Sequence, residues 1–338
     1  MTQPQRTQIQ LARRPEGWPV PEDFRIERAP LPELGPGQVR VANEFVSVDP
    51  YMRGRMNDSR SYVAPYPVGG TITGGAVGRV IESTVAALPV GTPVLHQQGW
   101  TDLAQGDAAE FRAVPDLPDT PLSVHLHVLG MTGMTAYVGL TAVAGLRPGD
   151  TVFVSGAAGA VGTATGQLAR LLGASRVIGS AGSPEKVALL TEKYGYDVAF
   201  NYKDGDVRGQ LAAAAPDGVD VFFDNVGGDH LEAALDVFNP GGRAALCGAI
   251  SRYNATTPAA GPDNLSNLIT RGLTLQGFTL GSYLHLAPEF QHTVAPWFTD
   301  GRIAYDETVV DGIEHTVEAF LAMMRGANTG KMLVRVQP

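Results

Sequence analysis

Residues Val152 to Gly162 read VFVSGAAGAVG. An apolar strand runs into a glycine turn, and the turn opens a helix. Gly156, Gly159 and Gly162 are thereby brought to a point where backbone N–H groups and a helix N-terminus can face a diphosphate. Beyond the turn, Val161, Ala164, Leu168 and Leu171 recur at three- and four-residue steps, which predicts one helical face lying on a sheet. Strand, turn and helix together form the first half of a βαβ unit, the context that a glycine-rich turn needs before it reads as a dinucleotide site rather than an ordinary turn.

The same unit repeats downstream. In RVIGSAGSPEKVALLTEKYG (residues 176–195), Ser183 is a natural N-cap and Pro184 fits the first helical position. Val187, Leu190 and Tyr194 form a buried stripe, and Gly195 ends the helix. GVDVFFDNVGG (218–228) follows, with a helix expected through Leu231, Ala234, Leu235 and Phe238, then strands in RAALCGAI (243–250) and LTLQGF (273–278). These alternations predict an α/β domain with a doubly wound parallel sheet. Upstream, QVRVANEFVSV, GGAVGRVIES, GTPVLHQ and AAEFRAV lie between glycine and proline punctuation from Gln38 to Pro115, which predicts a compact β domain. After about Asp300 the repeat stops, and a helical VEAFLAMMRGAN leads to a last strand, KMLVRV. The expected organisation is discontinuous: residues 1–125 and 301–338 form one domain, and 126–300 form the cofactor domain.

Bulk properties narrow the partners. A chain of 338 residues suits two domains, since single cores seldom exceed roughly 250–300 residues. A formal charge of −9 leaves no basic surplus to replace phosphate counterions, so neither nucleic acid nor an anionic membrane is expected. The single cysteine, Cys247, excludes an intrachain disulfide and a multi-thiolate zinc site; a reducing cytoplasm is the expected location. No signal-peptide core and no run of about eighteen apolar residues is apparent. Of the seven histidines, only His125 and His127 are close in sequence. Their i, i+2 spacing would put both on one face of a strand, and two imidazoles without thiolate or carboxylate company make no zinc site.

The stretch after the second strand distinguishes the two nicotinamide cofactors. An Asp or Glu about 20 residues past the turn would hold a ribose 2′-OH. Here Gly179 to Ser183 offer none, and Lys186 stands in the first turn of a helix, where the dipole disfavours a cation unless an anion is close. A 2′-phosphate would be that anion; a solvated surface lysine is the plainer reading. Tyr202 could meet the same phosphate or pack in a core. Asn225 and the run from Cys247 to Ile250 each follow a strand and should border the cofactor.

At VDPYMRGRM (48–56), GMTAYVGL (133–140), SGAAGAVG, GSPEKVALL, FNYK, FDNVGG, CGAISRYN (247–254) and GANTGKMLVRV, the chain resembles the medium-chain dehydrogenase/reductase superfamily. The resemblance is to its zinc-independent branch of NADPH-dependent alkenal/one reductases and spans nearly the whole sequence. It implies a GroES-like catalytic domain, a Rossmann domain and a homodimer. It also implies that Ala160, Val161, Gly162 and Thr163 form the pyrophosphate loop, that Lys186 and Tyr202 meet the 2′-phosphate, and that Asn225 with Cys247, Gly248, Ala249, Ile250, Ser251 and Tyr253 borders the cofactor. Phe278, Thr279 and Leu280 would line the nicotinamide, with Asn328 closing the site. Departures from the branch pattern occur at Thr279-Leu280-Gly281-Ser282 and Met131-Thr132.

The implied reaction is reduction of the carbon–carbon double bond of an α,β-unsaturated aldehyde or ketone. A donor must stabilise charge on the carbonyl oxygen. Tyr253 is the first choice and Tyr51 the second, since a neutral phenol can donate without carrying charge into an apolar pocket. The alternatives are a zinc-independent quinone reductase of the same superfamily and an NADPH-binding protein without activity.

Overall fold

The computed structural model describes residues 4–336. It contains two compact units, one comprising the chain up to His127 together with residues from Glu307 onward, the other Val128–Asp306. In the second unit the elements alternate: β1 (Thr151–Val154), α1 (Ala160–Leu171), β2 (Arg176–Ala181), α2 (Pro184–Glu192), β3 (Val198–Asn201), α3 (Val207–Ala214), β4 (Val219–Asp224), α4 (Asp229–Val237), β5 (Phe238–Leu246) and β6 (Thr274–Gly277). The strands lie in the order β3-β2-β1-β4-β5-β6, and every neighbouring pair is parallel. This is the Rossmann order, covered by helices on both faces. Central strands buried on two sides need continuous apolar runs, and Val152, Phe153 and Val154 are each 0% exposed. Phe153 stacks on Phe222 of β4 with ring centroids 4.9 Å apart, at the centre of a core that includes Ile178, Leu211 and Leu235.

Helix α1 is buried over a wider arc than its four-residue stripe suggested. Every residue from Gly162 to Ala169 is buried, whereas Val161 and Leu171 are half-buried. Small residues permit this depth. A Cβ on Gly166 would lie 2.2 Å from the Tyr196 ring, and the Tyr196 hydroxyl donates to the Gly162 carbonyl at 2.7 Å. In α2, Ser183 caps the helix with its hydroxyl oxygen accepting from the Lys186 N–H, while Leu190 and Tyr194 are buried and Val187 is half-buried.

In the first unit, the sheet orders its strands Glu307–Asp311, Lys331–Arg335, Gln38–Ser47, Ala76–Ser83, Pro93–His96 and Arg112–Ala113, with Leu103–Asp107 also pairing to Gln38–Ser47. The last strand, Lys331–Arg335, runs antiparallel to Gln38–Ser47, with Leu333 opposite Ser47. The end of the chain thus completes a sheet begun near its start. Phe24, Trp100 and Phe320 form an aromatic cluster with centroid separations of 5.7–6.2 Å, which seats the helix Thr316–Met324 on the N-terminal β structure.

Three local expectations are corrected. Phe238 belongs to β5 rather than to the preceding helix, because Pro240 excludes helical geometry at Asn239 and the helix ends at Val237. His125 lies in a 3-10 helix, Leu122–Leu126, and His127 is its C-cap, so the two imidazoles share no strand face. AAEFRAV is a short 3-10 turn followed by a strand of only two residues, Arg112–Ala113. The stretch Leu122–Val143 has the length and hydropathy of a membrane span, yet 67% of its most apolar window is buried and it is broken into separate helical pieces, as befits core helices.

Candidate functional site

Because all six Rossmann strands point the same way, their carboxyl ends share one edge, and the sequence-nominated residues of this unit follow those ends. After β1, Gly156 takes a positive φ of 59°. A Cβ at Gly162 would stand 2.5 Å from the Gly156 carbonyl oxygen and 2.6 Å from the Ala157 Cα, so only glycine lets α1 start against the turn. The helix has no capping side chain at Gly159, and the first hydrogen bond of its ladder is Thr163 N–H to the Gly159 carbonyl at 2.9 Å. Ala160, Val161 and Gly162 therefore present backbone donors that no cap satisfies, at the positive end of a twelve-residue helix. Thr163 begins the ladder and is buried.

After β2 and β3, two cations gather. Burial, and then the charge of Lys203, depress the Lys186 ammonium below the ordinary lysine range. Lys203 also lies with its Nζ 5.8 Å from the Tyr202 ring centroid. Tyr202 is 38% exposed, which removes the core-packing alternative; its ring lies edge-on to His230 at 5.5 Å and overhangs Gly182, where a Cβ would come within 3.1 Å of it. Two like charges brought together beside a glycine and an exposed phenol fit a dianionic group. Lys203 was not among the residues nominated from sequence, although its adjacency to Tyr202 was the available signal.

The ends of β1, β4 and β5 are joined by Asp224, in the segment Asp224–Gly227 expected to border the cofactor. Asp224 is 2% exposed, and its Oδ1 accepts from Ser155 Oγ at 2.8 Å and from the N–H groups of Val226 and Gly227, both at 2.9 Å. Its main-chain carbonyl accepts from Cys247 N–H at 2.8 Å and Gly248 N–H at 3.0 Å. Burial raises its carboxyl above the usual carboxylate range, against the pull of these donors. Asn225 is locked beside it, its Nδ2 donating to the Ser155 carbonyl at 2.8 Å and its N–H to Ser155 Oγ at 2.9 Å, which leaves the amide oxygen as the acceptor to offer. Ile250 and Ser251 N–H donate to the Asn225 and Val226 carbonyls, each at 3.3 Å. Tyr253 then folds back, and its hydroxyl accepts from Ala249 N–H at 3.5 Å. After β6, Phe278 packs edge-on to Phe223 at 6.3 Å, with Thr279 and Leu280 following it, all three half-buried.

The first unit holds the other two nominated residues. Tyr51 opens the short helix Tyr51–Arg55 after Pro50, and burial followed by the Asp49 charge lifts its phenol well above the ordinary tyrosine value. Asn328 donates its Nδ2 to the Gly330 carbonyl at 2.7 Å, so its free amide function is the oxygen. Among the described residues no three His, Cys, Asp or Glu side chains group as a metal ion would need.

A Rossmann sheet with an uncapped glycine turn and a paired-lysine corner, accompanied by a separate β unit, defines a dinucleotide-dependent oxidoreductase. Residues 7–114 match the family described as the N-terminal domain of oxidoreductase, and residues 160–300 match the zinc-binding dehydrogenase family. The chain is 40% identical over 331 residues to the NADPH-dependent curcumin reductase of Escherichia coli, covering 96% of this chain and 95% of the relative. It is 41% identical over 323 residues to prostaglandin reductase 1 of Sus scrofa, covering 94% and 95%. The crystal structure of CurA from Vibrio vulnificus in complex with NADPH superposes with a TM-score of 0.93 at 38% identity, covering 98% of this chain and 99% of that one. The chain belongs to the medium-chain dehydrogenase/reductase family, in its NADPH-dependent alkenal/one reductase branch.

Cys247 borders this edge without being a nucleophile, because burial, and secondarily Asp224, push its thiol up to about 12. The thiolate fraction near neutral pH is then far below that of an unfolded cysteine. Iodoacetamide should accordingly label the native protein far more slowly than the urea-unfolded chain, as read by intact mass on the only cysteine; equal rates would disprove the desolvated thiol.

Proposed function

We propose that this protein reduces the carbon–carbon double bond of α,β-unsaturated aldehydes and ketones at the expense of NADPH, without a metal. Residues 126–300 act as the NADPH domain, and residues 1–125 with 301–338 as the catalytic domain. The observation that carries the reading is the Tyr253 hydroxyl, held back on the Ala249 N–H at the edge where the phosphate turn and the lysine pair also lie. Ala160, Val161, Gly162 and Thr163 would hold the pyrophosphate, Lys186, Lys203 and Tyr202 the 2′-phosphate; Asn225 and the run from Cys247 to Tyr253 would border the cofactor, and Phe278, Thr279 and Leu280 would line the nicotinamide. When bound, NADPH would supply the hydride that the β carbon of the substrate receives, and a proton taken up by the resulting enolate completes the saturated carbonyl.

The protein's contribution is placement and charge stabilisation. As the double bond is reduced, negative charge builds on the carbonyl oxygen, and a positioned hydrogen-bond donor lowers that barrier. Tyr253 is the first candidate for that donor, and Tyr51 the second. Burial keeps the Tyr51 phenol protonated, so at neutral pH it gives a hydrogen bond rather than a charge. The similarity to reductases named for curcumin and prostaglandin supports an enone as substrate.

The homodimer reading draws on β6, which among the described residues pairs only with β5 and leaves an open edge. Ile269, in the short helix that precedes β6 in the chain, is 86% exposed, and Leu284, in the 3-10 turn that follows it, is 60% exposed. An uncovered edge flanked by apolar side chains is a template for a second copy about a two-fold axis.

Three measurements test these statements. NADPH consumption should follow addition of alkenals and alkenones more efficiently than quinones, and Tyr253→Phe should lower kcat by about 10²-fold with little change in NADPH affinity; wild-type turnover in that variant would remove Tyr253 from the chemistry. Lys186→Ala should weaken NADPH by about 2 kcal/mol, roughly thirty-fold, and leave NADH unaffected; an equal loss for both cofactors would dismiss the phosphate contact. Sedimentation should show a dimer that Ile269→Lys dissociates, and a monomeric wild type at micromolar concentration would rule out the open-edge interface.

A further inference from the structure

Two sequence motifs stand apart from the Rossmann edge, VDPYMRGRM at residues 48–56 and GKMLVRV at 330–336, and the structure joins them through one buried charge. Lys331 is 1% exposed. Its three ammonium protons are all used: Nζ donates to Asp49 Oδ1 at 2.9 Å, to the Val48 carbonyl at 2.9 Å and to the Met332 carbonyl at 3.1 Å. Asp49 is 3% exposed, and its second carboxylate oxygen accepts from the Ser47 hydroxyl. Parallel to this contact, Val48 N–H donates to the Met332 carbonyl at 3.3 Å. Glu307 is the register partner of Lys331 on the neighbouring strand, but its Oε2 is engaged by Ser123 Oγ at 2.8 Å and burial raises its carboxyl, so Asp49 is the anion that balances the lysine.

The chain from Asp49 to Tyr51 has little freedom. Pro50 fixes its own φ at −59°, Met52 N–H closes onto the Asp49 carbonyl at 3.2 Å, and Arg53 N–H onto the Pro50 carbonyl at 3.1 Å. No hydrogen bond among the described residues orients the Tyr51 hydroxyl; the ring is aimed by its backbone and by passage over Gly74, where a Cβ would lie 3.6 Å from the Tyr51 oxygen and 2.4 Å from the Met52 methyl. Whatever fixes Asp49 therefore fixes Tyr51.

We propose that Lys331 is a positioning residue for Tyr51, using the buried Lys331–Asp49 pair to tie the final strand to the turn that carries the phenol. This assignment rests on the enone-reductase reading, in which Tyr51 is a donor. Breaking a buried pair from one side leaves an uncompensated charge that the turn must move to solvate, and displacement of a positioned group by about 1 Å costs as much as 10²-fold in rate.

The test is a double-mutant cycle on the full-length protein with NADPH and an alkenone. Tyr51→Phe and Lys331→Met should each lower kcat about ten-fold or more while the KM for NADPH stays unchanged, and the double variant should be no slower than the worse single one. A structural role alone would slow Tyr51→Phe and wild type by the same factor when Lys331→Met is added, and that additivity overturns the proposal, as does a full-speed Lys331→Met enzyme. If Lys331→Met does not fold, Asp49→Asn/Lys331→Met, which leaves no lone buried charge, is compared with and without Tyr51→Phe on the same criterion. Hydrogen exchange reads the tether independently of the substrate. Faster exchange at residues 48–56 in the lysine variant, with residues 152–169 unchanged, is expected even if enones prove not to be substrates; unchanged exchange at 48–56 overturns the tether itself.

Discussion

Parallel strand direction is the constraint on which the cofactor unit depends. With β3-β2-β1-β4-β5-β6 all running the same way, six turns must leave the sheet at one edge, and residues as distant in sequence as Gly156, Lys186, Asn225, Cys247 and Phe278 are delivered there without any contact among their side chains having to arrange it. What the side chains add is spacing. Gly162 allows α1 to start so close to the turn that a Cβ there would lie 2.5 Å from the Gly156 carbonyl oxygen, and that proximity turns a strand-to-helix junction into a cradle of unsatisfied N–H groups.

Asp224 shows how the separate turns become one surface. A single carboxylate oxygen accepts three donors from the ends of β1 and β4, and the residue's main-chain oxygen accepts two more from the end of β5. A neutral side chain of the same size could not draw three donors to one oxygen as strongly. The cost of desolvating it shows in its raised carboxyl, so the site keeps an acid that burial disfavours because the geometry of the neighbouring turns depends on its hydrogen bonds.

Local signals in the chain announced what local physics determines. The apolar run and glycines of 152–162, the Ser183–Pro184 cap and the glycine at 195 each owe their conformation to residues within a turn or two, and each appears where its pattern indicates. The features that escaped are long-range or depend on the absence of a signal. The Ser155–Asp224 contact spans 69 residues, and nothing in DNVGG says which oxygen will meet which donor. Tyr202 could equally have been core by composition; its exposure follows from where β3 ends. His125 has strand-like spacing, but Pro121 starts a 3-10 turn there.

The first unit raises the same issue in sharper form. A lysine at residue 331 and an aspartate at residue 49 are individually unremarkable letters, 282 positions apart, and both would ordinarily be assigned to solvent. Antiparallel pairing of the last strand beside Gln38–Ser47 fixes their meeting, and burial makes the meeting consequential, since neither charge has water to fall back on. A discontinuous domain therefore uses its final strand for more than closing a sheet edge. Because the strand must be present before Lys331 can reach Asp49, the turn bearing Tyr51 acquires its full set of restraints only when the last segment of the chain has docked, so the aim of the phenol is linked to completion of the fold in a way that no residue near Tyr51 in sequence could provide.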